Sequence, residues 1–222
     1  MFNVAIDGPS GAGKSSVSKE AAKRLGFIHV DTGALYRSLA YAAMKNDVDI
    51  NDEISLKKML NMTKISIEFK DGTQNVFVNQ ENVNDKIRTE QVSKAASDIS
   101  KIPMIRAFLL DLQRDLANEN NVVMDGRDIG SVVLPNADVK IFITASPEQR
   151  AERRYKELLA KGEKVVYNDI LEKLVYRDHQ DTHREIAPLK PCENAVIIDT
   201  SELDFSQSVN AVLDTIREKY KQ

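Results

Sequence analysis

A glycine-rich segment near the start of the chain has the residue types and the spacing of a phosphate-binding loop. Its pattern is glycine, four residues, glycine, lysine and serine, and its candidate binding residues are Gly8, Pro9, Ser10, Gly11, Ala12, Gly13, Lys14, Ser15 and Ser16. Glycines let backbone N–H groups converge on phosphate oxygens, and a helix starting nearby adds partial positive charge. Lys14 is predicted to bridge the β- and γ-phosphates, and the Ser15 hydroxyl to bind Mg²⁺. The segment predicts a nucleoside triphosphate site without identifying the phosphate acceptor.

A second distinctive segment, MDGRDIG at residues 124–130, follows two apolar valines. Asp125 lies where a buried strand is predicted to end, which is the Walker B arrangement, so it could orient Mg²⁺ through water. A buried salt bridge from Asp125 to Arg127 or Lys14 is the alternative. Asp7, beside the glycine-rich loop, competes for the same metal-side role. The sequence leaves these alternatives open.

Eight arginines follow predicted strand ends or lie on helices expected around a cleft: Arg37, Arg106, Arg127, Arg150, Arg153, Arg154, Arg177 and Arg184. Bringing two multiply charged phosphates together is electrostatically costly, and bidentate guanidinium groups offset that cost. A kinase for a neutral alcohol needs a general base, whereas a phosphate monoester already presents an ionised oxygen near neutral pH. Any single arginine is more readily explained as a surface ion pair. The set, with no obvious base beside it, favours a phosphate acceptor.

Short apolar runs alternate with helical stretches and must position these residues. Five runs bounded by Asp, Gly or Pro predict strands buried on both faces, at 4–6, 27–30, 122–124, 139–144 and 195–198. Helices are predicted at 13–25, 33–44, 103–118, 147–161, 168–183 and 204–220. The alternation predicts an α/β fold with a parallel central sheet flanked by helices.

One region departs from this alternation. Residues 65–84 alternate apolar and polar side chains around an Asp-Gly pair at 71–72, which predicts an antiparallel hairpin with a third short strand. We therefore expect a small α+β subdomain at 51–100, inserted into a core domain formed by residues 1–50 and 101–222.

The composition limits the classes of partner. The chain has 222 residues, a formal net charge of −3 and a pI of about 5.7, so no global basic field favours nucleic acid or an acidic membrane. Its apolar runs are no longer than strands, and its N-terminus lacks a signal-peptide pattern. A single cysteine, Cys192, fits a reducing compartment, so a cytoplasmic location is expected. The chain lacks the N-K-x-D or T-K-x-D sequence with which GTPases read guanine.

The chain resembles the bacterial cytidylate kinases of the nucleoside monophosphate kinase fold over nearly its whole length. The resemblance is carried by IDGPSGAGKSS at 6–16, DTGALYR at 31–37, AASDISKIPMIR at 95–106, MDGRDIGSVVLP at 124–135, AERRY at 151–155 and YRDHQDTHREIAPL at 176–189. It implies a P-loop kinase that transfers the γ-phosphoryl group of ATP to CMP or dCMP with Mg²⁺. It also implies a monophosphate-binding insertion, a mobile lid at about 150–168 and a monomer. Gly162 is expected to break the lid helix and loosen it.

The same resemblance implies roles for single residues. Asp128 and Ser97 would accept from the N4 amino group of cytosine, and Arg106 would donate to the ring acceptors. Uracil reverses this polarity, at a cost of roughly 1–3 kcal/mol for each unpaired group. Further implied roles are nucleotide contacts for Thr32 and Tyr36, acceptor-phosphate contacts for Arg37, Arg127 and Arg184, ribose contacts for Arg177 and Asp181, ATP contacts for Arg153, and charge neutralisation during transfer for Lys14, Arg127, Arg154 and Arg184.

Two other functions stay open at this point. The nearest is a kinase for another pyrimidine monophosphate, UMP or dTMP, and comparing the four acceptors would separate it. The other is a non-catalytic switch that binds ATP and a protein partner, which predicts no CMP-dependent formation of ADP.

Overall fold

A computed structural model describes residues 1–70 and 72–220 of the chain. In chain order the strands are β1 (Asn3–Asp7), β2 (Ile28–Asp31), β3 (Ile65–Lys70), β4 (Thr73–Val78), β5 (Glu81–Asn82), β6 (Val122–Gly126), β7 (Val139–Thr144) and β8 (Val196–Asp199). Five of them form a central sheet in the order β2-β6-β1-β7-β8, and every pairing in it is parallel. The predicted parallel α/β sheet is confirmed.

Among the described residues the α-helices are α1 (Lys14–Leu25), α2 (Thr32–Lys45), α3 (Glu53–Met62), α4 (Glu90–Ile99), α5 (Pro103–Glu119), α6 (Pro147–Ala160), α7 (Tyr167–His183) and α8 (Phe205–Tyr220). A π-helical turn, Ile129–Val133, follows β6. Local signals fix the helix starts. The Asp31 side chain accepts from the backbone N–H of Ala34 at 3.0 Å, and proline opens α5 and α6, where its missing N–H is no loss.

Strands β1 and β6 are buried on both faces, and their side chains alternate between two hydrophobic clusters. The edge strand β8 is mostly exposed, so its predicted burial on both faces is wrong. Val4, Ile6 and Val123 pack with α1 and α8, whereas Ala5 and Met124 pack with the end of α5 and the π-helical turn. This alternation follows from the two-residue period of a strand and explains the continuous apolar runs. All five strands run in one direction, so the loops after their carboxyl ends meet at one edge of the sheet.

The inserted region forms a three-stranded antiparallel sheet, β3-β4-β5, that packs with α2, α3, α4 and α5 in one hydrophobic cluster. Gln74 joins it to the central sheet because its Oε1 accepts from the backbone N–H of Asp31 at 2.8 Å. The predicted hairpin and third strand are confirmed, although Asp71 of the expected turn lies outside the described residues. The division into a core and a separate subdomain stays a prediction.

Helices α6 and α7 form a hairpin with a small core of its own, in which Leu158 and Ile170 are buried. Gly162 follows α6 in the left-handed conformation, with φ of 79°, and the N–H of Glu163 donates to the carbonyl of Leu158 at 3.0 Å. The expected break of the helix at Gly162 is confirmed, and the mobility of the lid stays a prediction. None of the described helices has the length and apolarity to span a membrane.

Candidate active site

The glycine-rich loop joins β1 to α1 and is shaped by a close approach to β7. A Cβ atom on Gly8 would lie 1.9 Å from the backbone oxygen of Ile143, so only glycine fits at this position. The Lys14 ammonium folds back on the loop and donates to the carbonyl of Pro9 at 2.6 Å. Burial and the neighbouring Arg127 hold the pKa of Lys14 well below its usual range. A phosphate group bound here would supply a negative counter-charge for the buried Lys14 ammonium.

A cleft of about 660 Å³ opens beside this loop at the carboxyl edge of the sheet. All eight arginines singled out in the sequence line it, together with Lys14. Six carboxylates also line it: Asp31, Asp125, Asp128, Glu157, Asp181 and Asp204. Residues Ser10 to Ser16 of the loop line the cleft, whereas Gly8 and Pro9 do not. The structure thus joins the predicted triphosphate site and the predicted arginine cluster in a single cavity.

Ser15, Asp125 and His29 form a hydrogen-bonded row at the base of the loop. The Ser15 hydroxyl donates to Asp125 Oδ2 at 2.7 Å, and His29 Nε2 lies 2.6 Å from Asp125 Oδ1. The Ser15 hydroxyl and the Asp125 carboxylate offer oxygen ligands at the phosphate end of the cleft. Mg²⁺ binds oxygen ligands of this kind together with phosphate oxygens and water. Ser15 and Asp125 therefore fit the predicted metal side, and the alternative salt bridge of Asp125 to Arg127 or Lys14 does not form within the described residues.

Asp7 is not placed on the metal side. Its carboxylate oxygens accept from the backbone N–H groups of Ile129, at 2.7 Å, and Gly130, at 2.8 Å. Both oxygens therefore anchor the π-helical turn, and the side chain does not line the cleft. The loop that follows β6 folds over the end of β1 and hydrogen-bonds this carboxylate, so the geometry favours Asp125 for the metal side, and the role of Asp7 stays a prediction.

The predicted base-reading residues lie together at the far end of the cleft. The Asp128 carboxylate accepts from the guanidinium of Arg106 and, at 3.3 Å, from that of Arg184. Ser97 and Tyr36 line the same end. Burial raises the pKa of Tyr36 to about 12, so its hydroxyl stays neutral and keeps its proton. The pocket thus presents an acceptor flanked by donors.

Three arginines lie between the two ends of the cleft. Arg37 pairs with Asp31, and Arg127 with Asp181, each at 2.9 Å. Arg177 makes no hydrogen bond or ion pair with any described residue, and its Nε is buried without a partner. Burial and the charge of Arg127 lower the pKa of Arg177 to about 10. The region carries an unbalanced positive charge of the kind that an anion would relieve.

Thr32 lines this region but donates its hydroxyl hydrogen to the backbone carbonyl of Asp125 at 2.8 Å. It can still accept from a ligand, but it has no free hydrogen to donate. Asp181 likewise accepts from Arg127, so a ribose hydroxyl would have to share this carboxylate. The roles implied for both residues stay predictions.

Comparison with known proteins agrees with this geometry. The family model described as cytidylate kinase matches residues 4–218. The chain belongs to the cytidylate kinase family. The cytidylate kinase of Caldicellulosiruptor bescii is 47% identical over 213 residues, which are 96% of this chain and 94% of the relative. That of Streptococcus mutans is 46% identical over 95% of this chain and 94% of its own.

Solved structures agree at the level of the fold. A gluconokinase from Sinorhizobium meliloti is 14% identical and has a TM-score of 0.50, covering 99% of this chain and 94% of its own. At this identity the likeness shows a shared P-loop kinase fold alone. Cytidylate kinase membership therefore rests on the family model and the sequence relatives.

In this member of the cytidylate kinase family the three arginines of α6 differ from one another. Arg150 is buried, donating to the carbonyls of Ser10 and Ala145, each at 2.9 Å, and pairing with Asp178 of α7. Arg153 donates to residues of the loop after β8, and Arg154 is exposed and pairs with Glu157. Of the three, Arg150 is a cross-link between the glycine-rich loop and α7 instead of a free lid residue.

Two contributors were not singled out from the sequence. His29 contacts Asp125, and Asp178 pairs with Arg150. The signal for His29 was present, because a histidine inside a strand buried on both faces needs a buried partner. The signal for Asp178 was weaker, because it lies among several charged residues of a helix with an exposed side.

Proposed function

We propose that this chain transfers the γ-phosphoryl group of ATP to CMP or dCMP, giving ADP and CDP or dCDP. The observation that carries the proposal is a single cleft with the glycine-rich loop at one end and the Asp128–Arg106 pair at the other. The cytidylate kinase relatives support the same reaction and favour neither alternative.

The reaction needs positioning and charge neutralisation more than proton transfer. The acceptor oxygen of a nucleoside monophosphate is ionised near neutral pH, so no general base is required. Lys14 would hold the donor phosphates, while Arg127, with Arg37 and Arg184, would hold the acceptor phosphate in line with them. Arg177 would lie beside them at the ribose. These cations repel one another in the free protein, since the charge of Arg127 contributes to lowering the pKa of both Lys14 and Arg177. Two phosphates brought between them would relieve this repulsion.

Magnesium belongs to the proposal. Ser15, supported by Asp125, would hold Mg²⁺ at the donor phosphates. When bound, the ion would offset negative charge on the β- and γ-phosphate oxygens. This fits the chain because Mg²⁺ needs few protein ligands and keeps water and phosphate oxygens for the rest.

Base selection is assigned to the Asp128 pocket. Cytosine offers an amino donor at N4 next to acceptors at N3 and O2, which matches the Asp128 carboxylate beside the Arg106 donors. Uracil would place an acceptor against the carboxylate and a donor against the guanidinium. Buried groups left unpaired in this way cost roughly 1–3 kcal/mol each, enough for discrimination without any steric barrier.

We also assign a lid to residues 150–168. Arg154 is exposed and could turn toward the donor phosphates when the α6–α7 hairpin closes. Hydrogen exchange tests this assignment: without ligand, residues 155–167 should exchange faster than the central strands and become protected with ATP and CMP. Equal protection of both regions in the free protein would refute the lid.

We further propose that the protein is a cytoplasmic monomer with no nucleic-acid or membrane partner.

A coupled assay of ADP formation with CMP, dCMP, UMP and dTMP tests the function. The expected result is acceptor-dependent ADP formation with the highest kcat/KM for the two cytosine nucleotides. Preference for UMP would refute the base assignment. ATP binding without acceptor-dependent ADP formation would instead support a nucleotide switch.

A further inference from the structure

His29 is a buried side chain that the reaction proposed above does not use. It lies in β2, two residues before Asp31, whose register partner in β6 is Asp125. Its Nε2 lies 2.6 Å from Asp125 Oδ1, and only 8% of the His29 side chain and 4% of the Asp125 side chain are exposed. A carboxylate can only accept, so Nε2 carries the proton and donates to Asp125.

The second oxygen of Asp125 has one hydrogen-bond donor of its own. Oδ2 accepts from the Ser15 hydroxyl at 2.7 Å, while Oδ1 accepts from His29. Rotation of the carboxylate would therefore break both hydrogen bonds, of which the one from His29 is buried. Asp125 thus stays an acceptor in a fixed orientation.

We propose that His29 is a positioning residue for Mg²⁺, acting through Asp125 on Ser15. With its hydrogen directed to Asp125, the Ser15 hydroxyl keeps its lone pairs for the cleft, where the donor phosphates are proposed to lie. Residues that orient metal ligands in this way change metal affinity by roughly 10- to 100-fold when replaced. The inference rests on the proposed function, since it requires Mg²⁺ at the donor phosphates.

The test separates metal binding from nucleotide binding. Calorimetry would measure the affinity for ADP with Mg²⁺ and with EDTA in the wild type and two variants. His29→Leu removes the hydrogen-bond donor to Asp125, whereas the amide of His29→Gln can still donate. We expect His29→Leu to reduce the Mg²⁺-dependent gain in ADP affinity roughly 10- to 100-fold, with little change in EDTA, and His29→Gln to recover part of it. A purely structural role would lower ADP affinity equally in both conditions.

Equal losses with and without Mg²⁺, or no loss in either, would overturn the proposal. If His29→Leu does not fold, nitrogen NMR of the wild-type protein decides instead, because the proposal requires a protonated Nε2 in the free and the Mg²⁺–ADP-bound protein. An unprotonated Nε2 would also overturn it. The proposed function has a separate test, since CMP-dependent ADP formation by the wild type does not depend on any result with the His29 variants.

Discussion

Replacing Asp128 with asparagine changes the polarity of one wall of the base pocket while keeping its shape. The carboxylate is 6% exposed and accepts from Arg106 and Arg184. An asparagine amide would place a donor where the carboxylate accepts. Opposite the cytosine N4 amino group, two donors would then face each other, whereas the O4 atom of uracil would gain a donor.

The size of the effect follows from the burial of these groups. A mispaired buried donor costs about 1–3 kcal/mol, and about 1.4 kcal/mol corresponds to a factor of ten. The ratio of kcat/KM for CMP to that for UMP should therefore fall about 5- to 150-fold in Asp128→Asn. In Asp128→Ala the two guanidinium groups lose their shared counter-charge, so a loss of about 3–5 kcal/mol in the free energy of unfolding is also expected.

The assay compares kcat/KM for CMP and UMP in the wild type, Asp128→Asn, Asp128→Ala and a matched control, Asp115→Asn. Asp115 is an exposed carboxylate of α5, so the same chemical change there should leave both acceptors unaffected. Urea unfolding measures stability in parallel and separates a folding defect from a change in base selection. If folded Asp128→Asn kept the wild-type preference for CMP, the assignment of Asp128 to the base would be wrong.

Three further substitutions probe the rest of the cleft. Gly8→Ala would place a Cβ 1.9 Å from the Ile143 carbonyl oxygen, so urea unfolding should show a loss of about 2 kcal/mol or more, together with weakened ATP binding; unchanged stability would contradict the fit. Lys14→Ala should reduce kcat about 100-fold or more with every acceptor, and a loss confined to one acceptor would argue against its place at the donor phosphates. Asp178→Ala removes the carboxylate that pairs with buried Arg150, so a loss of about 3–5 kcal/mol in the free energy of unfolding and a higher KM for ATP are expected; an unchanged KM would show that this pair does not support the glycine-rich loop.

The features that the sequence predicted well are those encoded over a few neighbouring residues. The apolar runs of β1 and β6 are bounded by Asp and Gly, and a strand in a parallel sheet needs little else to be recognised. The Gly8–Ser15 pattern is equally local. The gathering of the arginines could also be predicted, because loops that follow parallel strands meet at one edge of the sheet.

The features that the sequence did not predict depend on which side chains meet across the fold. Nothing near Asp7 in the sequence indicates that its carboxylate would accept from the backbone N–H of Ile129. Arg150 and Arg154 are four residues apart and share one face of α6. Arg150 is nevertheless buried against the glycine-rich loop and Asp178 of α7, whereas Arg154, one turn further along, is exposed. Such partners are chosen by tertiary packing, and a linear pattern does not contain that information.

The cleft supplies its own counter-ions. Its internal pairs include Arg37 with Asp31, Arg106 with Asp128, and Arg127 with Asp181. A substrate dianion would therefore meet Arg177, which is unpaired among the described residues, and share the paired arginines with the carboxylates of the protein, so few small ions would be released to solution. The affinity for a nucleoside monophosphate should accordingly vary less with ionic strength than eight arginines suggest. Sulfate or free phosphate, which lack a base to offset the cost of breaking these pairs, should compete poorly.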